Sequence, residues 1–538
     1  MMRFISSAAF VIFLMTAGCS SNDDIIDPEE PDPVVENPPA DDFSGPEYAD
    51  DYSAISGWDN RTFWNLANVH DPSVVYDGEY YYMYGTDASY GNAHEGHGHF
   101  LYRRSKDLVD WEFRGMAMTE TPSWVKDTLN SLRTLAGLDI IDSPIYGHWA
   151  PVVRKVGDKY RMYYSIVIDN YIESGKANTP ANFDGSWTEH AFIGLMESDD
   201  LSSNTWVDKG MVVSSVSDRE NNWSRSNTSD WNAYFKWNAI DPTFIITPEG
   251  NHWLIYGSWH SGIVALQVNP STGKPDNLSS IEDYGTLIAR RQNSELNRWQ
   301  AQEGPEIIYN EKTGFYYLFL AYDELSVAYN TRVCRSTSIT GPYFGIDGTN
   351  ITEGGECWPM LTHPYKFNNH PGWVGISHCA VFKNEETNEW FYSSQARLPA
   401  NTNGNAYSNA IMMGNIRKIA WTEDGWPIVM PERFAGVPQP SISESDLTGT
   451  WENISMNYEY KVQQKSSQLI LSSNMTASGA LSGTWSYDQD KKILTIGELH
   501  LYLEKAWDWE ASPRTTTTFT YSGLTAGGRP VWGKKTTK

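Results

Sequence analysis

The sequence predicts an all-β protein, a five-bladed β-propeller followed by a C-terminal antiparallel β-barrel or sandwich. Two observations carry this prediction. A unit of two short strands joined by a tight turn occurs five times between about residues 57 and 440, and such radial repetition is typical of propellers. Near Gly436 the pattern changes, and the short alternating strands that follow predict a separate domain.

The first unit illustrates the pattern, with a strand over 73–76, a turn at Asp77-Gly78 and a second strand over 79–85. A single helix is expected over 122–135. Equivalent strand pairs are expected over 152–156 and 159–165, 243–247 and 252–257, 307–310 and 315–321, and 380–383 and 389–394.

The first residues predict export. Met1-Met2-Arg3 precedes an apolar run over 4–15 that is too short to span a bilayer, and small residues then lead to Cys19. The segment is similar to a bacterial lipoprotein signal. This similarity implies a signal peptide over 1–18, a lipidated Cys19 and a lipid anchor in the outer membrane at the cell surface. A soluble secreted protein cut near Ala17 is the alternative.

Residues 19–56 are predicted to form an acidic, proline-rich tether. No Lys or Arg occurs between Arg3 and Arg61, and the segment holds too little apolar surface to order itself. The whole chain has a net charge of -27, which argues against a nucleic-acid partner. The propeller is predicted over 57–440 and the C-terminal domain over 441–538. That last domain is either a packing partner or a sugar-binding module.

Composition leaves two questions open. Aromatic residues make up 14% of the chain, and aromatic faces stack on sugar rings but also fill β-sheet cores. The other cysteines, Cys334, Cys357 and Cys379, are widely spaced and form no zinc-site pattern. They are predicted to be buried thiols, with one disulfide as the alternative.

Three carboxylates stand one or two residues before a proline where an aromatic strand begins, namely Asp71, Asp241 and Glu303. An Asx-Pro turn alone is usually structural, but matching points of repeated blades converge on one axis. Hydrolysis of a glycosidic bond needs one protonated and one ionised carboxyl group. A third carboxylate nearby raises the pKa of the acid by like-charge repulsion. The pattern therefore predicts a glycoside hydrolase.

The motifs around these acids resemble the signature of glycoside hydrolase family 43, especially its endo-α-1,5-L-arabinanases. The resemblance implies a five-bladed propeller that cleaves internal bonds of the arabinan in pectin with inversion. It implies Asp71 as the general base, Glu303 as the general acid and Asp241 as the modulator of the pKa of Glu303. Glu306 is the rival for the acid. The matching stretches are His70-Asp71-Pro72, Trp149-Ala150-Pro151, Asn238-Ala239-Ile240-Asp241-Pro242, Ser258-Trp259 and Glu303-Gly304-Pro305.

The same resemblance implies substrate contacts by Trp149, Asn238, Ser258 and Trp259, although both tryptophans could instead pack between blades. It implies His378, in the fifth unit, as the direct protein ligand of a mostly hydrated calcium ion (Ca²⁺) in the central channel. A lone histidine is otherwise a packed or hydrogen-bonded core residue. Because calcium prefers oxygen ligands, such an ion would act by tuning the electrostatics of the acids.

The sequence thus predicts a monomeric, surface-anchored arabinanase. An exo-acting arabinofuranosidase or β-xylosidase of the same family is the first alternative. A non-catalytic glycan-binding lipoprotein on a propeller scaffold is the second, and the intact trio of acids argues against it.

Overall fold

The computed structural model describes residues 43–536, except 88–98, 189, 218–223, 231–234, 294–299 and 368. The predicted signal peptide, Cys19 and most of the predicted tether therefore lie outside the described residues. Within the described ranges, no helix is long and apolar enough to cross a membrane.

The predicted all-β propeller is confirmed. Among the described residues the longest helix is α1 (Ser123–Leu135), which matches the helix expected over 122–135. Short 3-10 helices cover Ser53–Ile55, Trp58–Phe63, Pro180–Asn182, Ile281–Tyr284 and Thr402–Gly404. The strands of this region are β1 (His70–Tyr76), β2 (Tyr81–Thr86), β3 (His99–Ser105), β4 (Glu112–Met118), β5 (Tyr146–Val156), β6 (Lys159–Ile168), β7 (His190–Ser198), β8 (Val207–Ser214), β9 (Val216–Ser217), β10 (Phe235–Trp237), β11 (Thr243–Ile246), β12 (His252–Tyr256), β13 (Ile263–Val268), β14 (Thr286–Ala289), β15 (Gln302–Asn310), β16 (Phe315–Tyr322), β17 (Asn330–Ser336), β18 (Tyr365–Lys366), β19 (Val374–Lys383), β20 (Trp390–Arg397), β21 (Met413–Trp421) and β22 (Pro427–Val429).

The blades are five antiparallel sheets arranged around one axis. Their inner strands β1, β5, β11, β15 and β19 contact one another in that order, and β19 also contacts β1. Buried apolar clusters fill the spaces between neighbouring blades. Backbone hydrogen bonds from Val69 to Met412 and from Gly414 to Leu66 close the ring between the first and fifth blades. The sheets are β1–β4, β5–β8, β11–β14, β15–β17 and β19–β22.

Turn chemistry explains why the predicted hairpins form. In the first blade, Oδ1 of Asp77 accepts hydrogen bonds from the backbone N–H groups of Glu79 and Tyr80, both at 2.8 Å. Gly78 takes a φ of 111°, which this tight turn requires. The strand that follows, β2, is buried along its whole length, because its tyrosines and methionine pack between blades.

A left-handed backbone conformation, with a φ between 41° and 57°, recurs near the start of every inner strand. Register shifts accompany it in β1, β5, β15 and β19. A left-handed residue other than glycine costs about 1–2 kcal/mol, so the packing around it must hold it in place. The feature gives five points around the axis the same local geometry. The residues with this left-handed φ, between 41° and 57°, are Asp71, Ala150, Asp241, Gly304 and His378.

The C-terminal domain is a closed, eight-stranded antiparallel barrel rather than a sandwich. A short helix, α2 (Glu444–Leu447), precedes it, and a parallel pair of short strands, β18 and β24 (Gln464–Lys465), connects it to the propeller. The predicted domain boundaries stay predictions. The eight strands of the barrel are β23 (Gly449–Ser455), β25 (Ser467–Leu471), β26 (Thr476–Gly479), β27 (Gly483–Asp488), β28 (Ile493–Ile496), β29 (Leu499–Trp507), β30 (Thr517–Leu524) and β31 (Pro530–Lys535).

Candidate active site

Asp71, Asp241 and Glu303 come together with His378 at the starts of the inner strands. Oδ1 of Asp71 lies 2.9 Å from Nδ1 of His378. Oδ2 of Asp241 accepts a hydrogen bond from the N–H of Gly304, the residue after Glu303, at 3.2 Å. The charges of these side chains shift one another's pKa values. The four residues therefore form one electrostatic unit.

Asp71 is held as an ionised carboxylate. Burial alone would raise its pKa, but the positive charge of His378 and hydrogen bonds from His378 and Thr86 hold the pKa below the usual range. The hydroxyl of Thr86 donates to Oδ2 of Asp71 at 2.8 Å. The backbone N–H of Asp71 donates to Oε1 of Gln395, also at 2.8 Å, which fixes the kinked backbone. An ionised, rigidly held carboxylate can take a proton from water.

Glu303 carries the opposite shift. Burial raises its pKa and the charge of Asp71 adds to the rise, although hydrogen bonds from Tyr329 and Trp259 work against it. The hydroxyl of Tyr329 donates to Oε1 of Glu303. The hydroxyl of Ser258 donates to Oε2 at 3.2 Å and the indole N–H of Trp259 donates to the same oxygen at 2.5 Å. A carboxyl group that keeps its proton at higher pH can serve as an acid.

The pKa values of Asp241 and His378 depend on the charges of Asp71 and Glu303. Burial and the like charges of Glu303 and Asp71 raise the pKa of Asp241 to about 7. Burial would lower the pKa of His378, but Asp71, Asp241 and Glu303 raise it to about 9. His378 is therefore an imidazolium at neutral pH, and its charge offsets part of the negative charge of the acids.

Glu306 belongs to a different environment, two residues beyond the kink at Gly304. Its carboxylate receives a hydrogen bond from the guanidinium of Arg154 at 2.5 Å and one from the hydroxyl of Thr243 at 2.8 Å. Arg154 also lines a cavity of about 600 Å³ at the far ends of the inner strands. Glu306 is thus engaged in an ion pair, whereas Glu303 faces Asp71 and His378.

The four residues predicted to bind substrate lie in different surroundings. Trp149 is 38% exposed, as a stacking platform for a sugar ring would be. Asn238 is buried and accepts a hydrogen bond from Ser215, and its amide donates to the carbonyl of Ser258 at 3.5 Å. Ser258 and Trp259 contact Glu303 itself. The geometry therefore gives Ser258 and Trp259 a role in orienting a carboxyl group, and leaves their contact with substrate a prediction.

Sequence reasoning missed Arg397, which is 5% exposed and sits near Asp71. Its Nη1 donates to the carbonyl of Asn409 at 3.1 Å, while its Nε and Nη2 are buried with no hydrogen-bond partner among the described residues. Together with burial, its charge lowers the pKa of His70 to about 4, so His70 is neutral beside Asp71. No motif around Arg397 signals this position, because it follows from the packing of the fifth blade.

The calcium prediction depends on the donor atoms around His378. Within the described part of the chain, no group of three or more His, Cys, Asp or Glu side chains could hold a metal ion. Nδ1 of His378 already contacts Asp71. The residues therefore do not form a cage that coordinates calcium directly. A hydrated ion held by His378 would require the neutral imidazole, because an imidazolium has no lone pair for coordination. It stays a prediction, and no chemical step is assigned to it.

The remaining thiols match one prediction. Cys334, Cys357 and Cys379 are free and buried, as expected for structural cysteines.

Comparison with known proteins decides the family. The model of glycosyl hydrolases family 43 matches residues 66–427. The chain belongs to glycosyl hydrolase family 43. This family 43 protein is therefore a glycoside hydrolase, and its acid trio lies inside the matched range. A second model, a C-terminal lipocalin-like domain, matches residues 431–533, where the structure has the barrel.

Relatives of this family 43 chain include both endo- and exo-acting enzymes. It is 24% identical over 493 residues to the extracellular endo-α-(1→5)-L-arabinanase 2 of Bacillus subtilis (strain 168), which covers 87% of this chain and 93% of the relative. It is 26% identical over 372 residues to the extracellular exo-α-(1→5)-L-arabinofuranosidase ArbA of Cellvibrio japonicus (strain Ueda107), covering 67% and 86%. The crystal structure of an endo-1,5-α-L-arabinanase from Thermotoga petrophila RKU-1 superposes with a TM-score of 0.66 at 23% identity, covering 88% of this chain and 99% of that one. That likeness shows the two-domain fold.

Proposed function

We propose that this family 43 enzyme is an inverting endo-arabinanase that cleaves internal α-1,5-L-arabinofuranosidic bonds of arabinan. The opposite pKa shifts of Asp71 and Glu303 within one buried cluster carry the proposal. An ionised base and a protonated acid are the pair that a single-displacement hydrolysis needs. The relatives named for arabinan support the choice of substrate.

The chemistry follows from these protonation states. Glu303 donates its proton to the glycosidic oxygen as the bond to the anomeric carbon breaks, so the leaving sugar departs as an alcohol. Asp71 takes a proton from the water that attacks the opposite face of the ring. Burial and the charge of Asp71 keep the proton on Glu303 until the reaction begins, and Asp241, where it is ionised, adds to this repulsion. Trp149, which is exposed, would stack on an arabinose ring.

Product analysis separates the endo-acting enzyme from the exo-acting alternative. Debranched α-1,5-arabinan is digested and the products are sized over time. An endo-acting enzyme shortens the polymer early and gives a ladder of oligosaccharides, whereas accumulation of one short product from the first minutes would favour exo action. Proton NMR during the first turnovers should show β-configured reducing ends, because inversion of an α-bond produces them.

The Glu303→Gln variant tests the assignment of the acid and the non-catalytic alternative. It should lower kcat on arabinan by about 10²- to 10⁴-fold and leave the affinity for arabino-oligosaccharides, measured by calorimetry, within about twofold. A wild-type protein that binds arabinan and never hydrolyses it would support a binding function instead.

Lipid anchoring and the calcium ion belong to the same proposal and rest on resemblance. Mass spectrometry of the purified full chain should detect a diacylated or triacylated peptide that begins at Cys19, and the Cys19→Ala variant should lack it. Metal analysis should detect calcium at one equivalent in the wild type and less in His378→Ala. We expect the enzyme to elute as a monomer in size-exclusion chromatography.

A further inference from the structure

One loop of the barrel contacts the catalytic domain. Residues 456–463, between β23 and β24, reach the propeller loop 323–329 between β16 and β17. The hydroxyl of Tyr458 donates to Oδ2 of Asp323 at 2.9 Å, and Nη2 of Arg291 donates to the Tyr458 oxygen at 3.3 Å. Asp323 also accepts a hydrogen bond from Nη1 of Arg291 at 2.6 Å. A tyrosine of the barrel thus completes a partly buried polar network at the start of the propeller loop.

A second contact lies one residue further along that loop. Nζ of Lys461 lies 3.5 Å from Oε1 of Glu324. The Glu324 carboxylate accepts backbone hydrogen bonds from Ser326, Val327 and Ala328, at 2.8, 3.2 and 3.1 Å. It therefore fixes the turn that ends one residue before Tyr329.

Tyr329 connects this loop to the chemistry, because its hydroxyl donates to Oε1 of Glu303. Among the described side chains, the other two donors to Glu303 are Ser258 and Trp259, which come from the third blade and bind Oε2. Tyr329 thus determines the environment of the oxygen that the third blade does not hold. If Tyr329 moved, Glu303 could rotate and its proton would no longer point at the glycosidic oxygen.

We propose that the C-terminal barrel is a positioning element for the general acid. Tyr458 holds Asp323, and Lys461 holds Glu324, so that Tyr329 keeps Glu303 aligned with the leaving oxygen. This inference rests on the proposed role of Glu303 as the acid. Lys461 contributes less than Tyr458, because an exposed ion pair is weak, whereas the Tyr458 hydrogen bond lies in a partly buried network.

The test uses the full chain and substrates that differ in whether their leaving group must be protonated. Tyr458→Phe, Lys461→Met and wild type are assayed on α-1,5-arabinan and on phenyl and 4-nitrophenyl α-1,5-arabinotriosides. A 4-nitrophenolate leaves readily without protonation. The sugar alkoxide of arabinan and a phenolate are poorer leaving groups, so their oxygen must be protonated by the general acid. Tyr458→Phe should lower kcat on arabinan and on the phenyl substrate on the order of tenfold, and on the 4-nitrophenyl substrate less than about twofold, with KM unchanged. Lys461→Met should lower kcat on the three substrates in the same order, but by smaller factors.

The barrel offers matched controls at another contact with the propeller. The N–H of Glu423 donates to the hydroxyl of Tyr502 at 2.9 Å, and Nζ of Lys491 lies 2.6 Å from Oε1 of Glu423. Glu423 lies in the outer turn between β21 and β22, away from the Tyr329 loop. Tyr502→Phe and Lys491→Met should leave the ratio of activities on the phenyl and 4-nitrophenyl substrates at the wild-type value, whatever they do to the melting temperature.

Two outcomes would overturn the inference. Tyr458→Phe could lower activity equally on all three substrates, as general destabilisation would, or it could leave all three unchanged. Glu303→Ala calibrates the experiment. If Glu303→Ala shows no dependence on the leaving group, the proposed acid is wrong. If Glu303→Ala shows the dependence and Tyr458→Phe does not, only the positioning role of the barrel is wrong.

Discussion

Nδ1 of His378 lies 2.9 Å from Oδ1 of Asp71, so an imidazolium and the proposed general base form an ion pair at the start of the first and fifth blades. The pair sets the charge of both groups, because the pKa of Asp71 lies below its usual range and that of His378 is raised to about 9.

Replacing His378 should move the acidic limb of the pH profile. In His378→Gln the cation that lowers the pKa of Asp71 is gone, so Asp71 becomes protonated at a higher pH. The acidic limb of kcat/KM on arabinan should therefore shift upward by about one pH unit or more, while the variant stays folded by circular dichroism. The exposed His500 provides the control, and His500→Gln should keep the wild-type profile. An unchanged limb in His378→Gln would contradict this role.

The same ion pair should make stability depend on pH. The pKa of His378 in the folded protein, about 9, lies above its ordinary value of 6.5. Its contribution is therefore fully present below about pH 6.5 and is lost as the pH rises through about 9. The melting temperature of the wild type should fall over that window by more than that of His378→Gln. Parallel curves for the two proteins would exclude the linkage.

Asp241→Asn should move the alkaline limb in the opposite sense. Glu303 raises the pKa of Asp241, and the interaction between two carboxyl groups is reciprocal. Without that second negative charge, Glu303 loses its proton at a lower pH. The alkaline limb of kcat/KM should shift to lower pH, with kcat also reduced. A limb at the wild-type position would show that Asp241 does not modulate Glu303.

Alanine substitutions at Gly304 and Gly314 should distinguish the cost of backbone strain from the cost of steric crowding. Its φ is 54°, and a Cβ at this position would lie 2.8 Å from Cγ of His378. Gly304→Ala should therefore lower kcat strongly and destabilise the fold by about 2–3 kcal/mol. Gly314, in the same blade, has a φ of 71° with open space around its Cα. Gly314→Ala should cost only the strain, about 1 kcal/mol, and keep full activity. Denaturant unfolding and arabinan assays of both variants check this difference.

Glu306→Gln should distinguish the two glutamates near the axis. The change removes the charge that pairs with Arg154 and leaves a partly buried guanidinium without its partner. We expect a loss of about 2 kcal/mol in the free energy of unfolding, with kcat within about threefold of wild type. Glu303→Gln should show the reverse, a stable but inactive protein. A Glu306→Gln variant as inactive as Glu303→Gln, yet equally stable, would make Glu306 the acid.

Much of this arrangement could be predicted from local sequence. Repeated hairpin units predicted the blades, and the proline one or two residues after Asp71, Asp241 and Glu303 marked the points where the inner strands kink. The fourth blade departs from the local pattern, because Gly304 rather than Glu303 takes the left-handed φ there. Its acid therefore enters the site from one residue earlier than the other two.

Partners from distant segments could not be predicted. Gln395 holds the backbone of Asp71 across 324 positions, and Tyr329 binds Glu303 from another loop. Nothing in the motif around Trp259 distinguishes a stacking surface from an indole N–H donor. Such contacts arise from the packing of blades, which no pattern of spacing along the chain records.

The junction at which Val69 and Leu66 bond to Met412 and Gly414 imposes an order of events on a newly made chain. Asp71 emerges early, yet the amide that anchors it, from Gln395, and the segment that locks its blade in place arrive more than 300 residues later. The nascent enzyme can build hairpins as they appear, but it has no working base until the fifth blade is complete. A chain truncated anywhere before residue 414 would therefore have no catalytic activity, however well its earlier blades had folded.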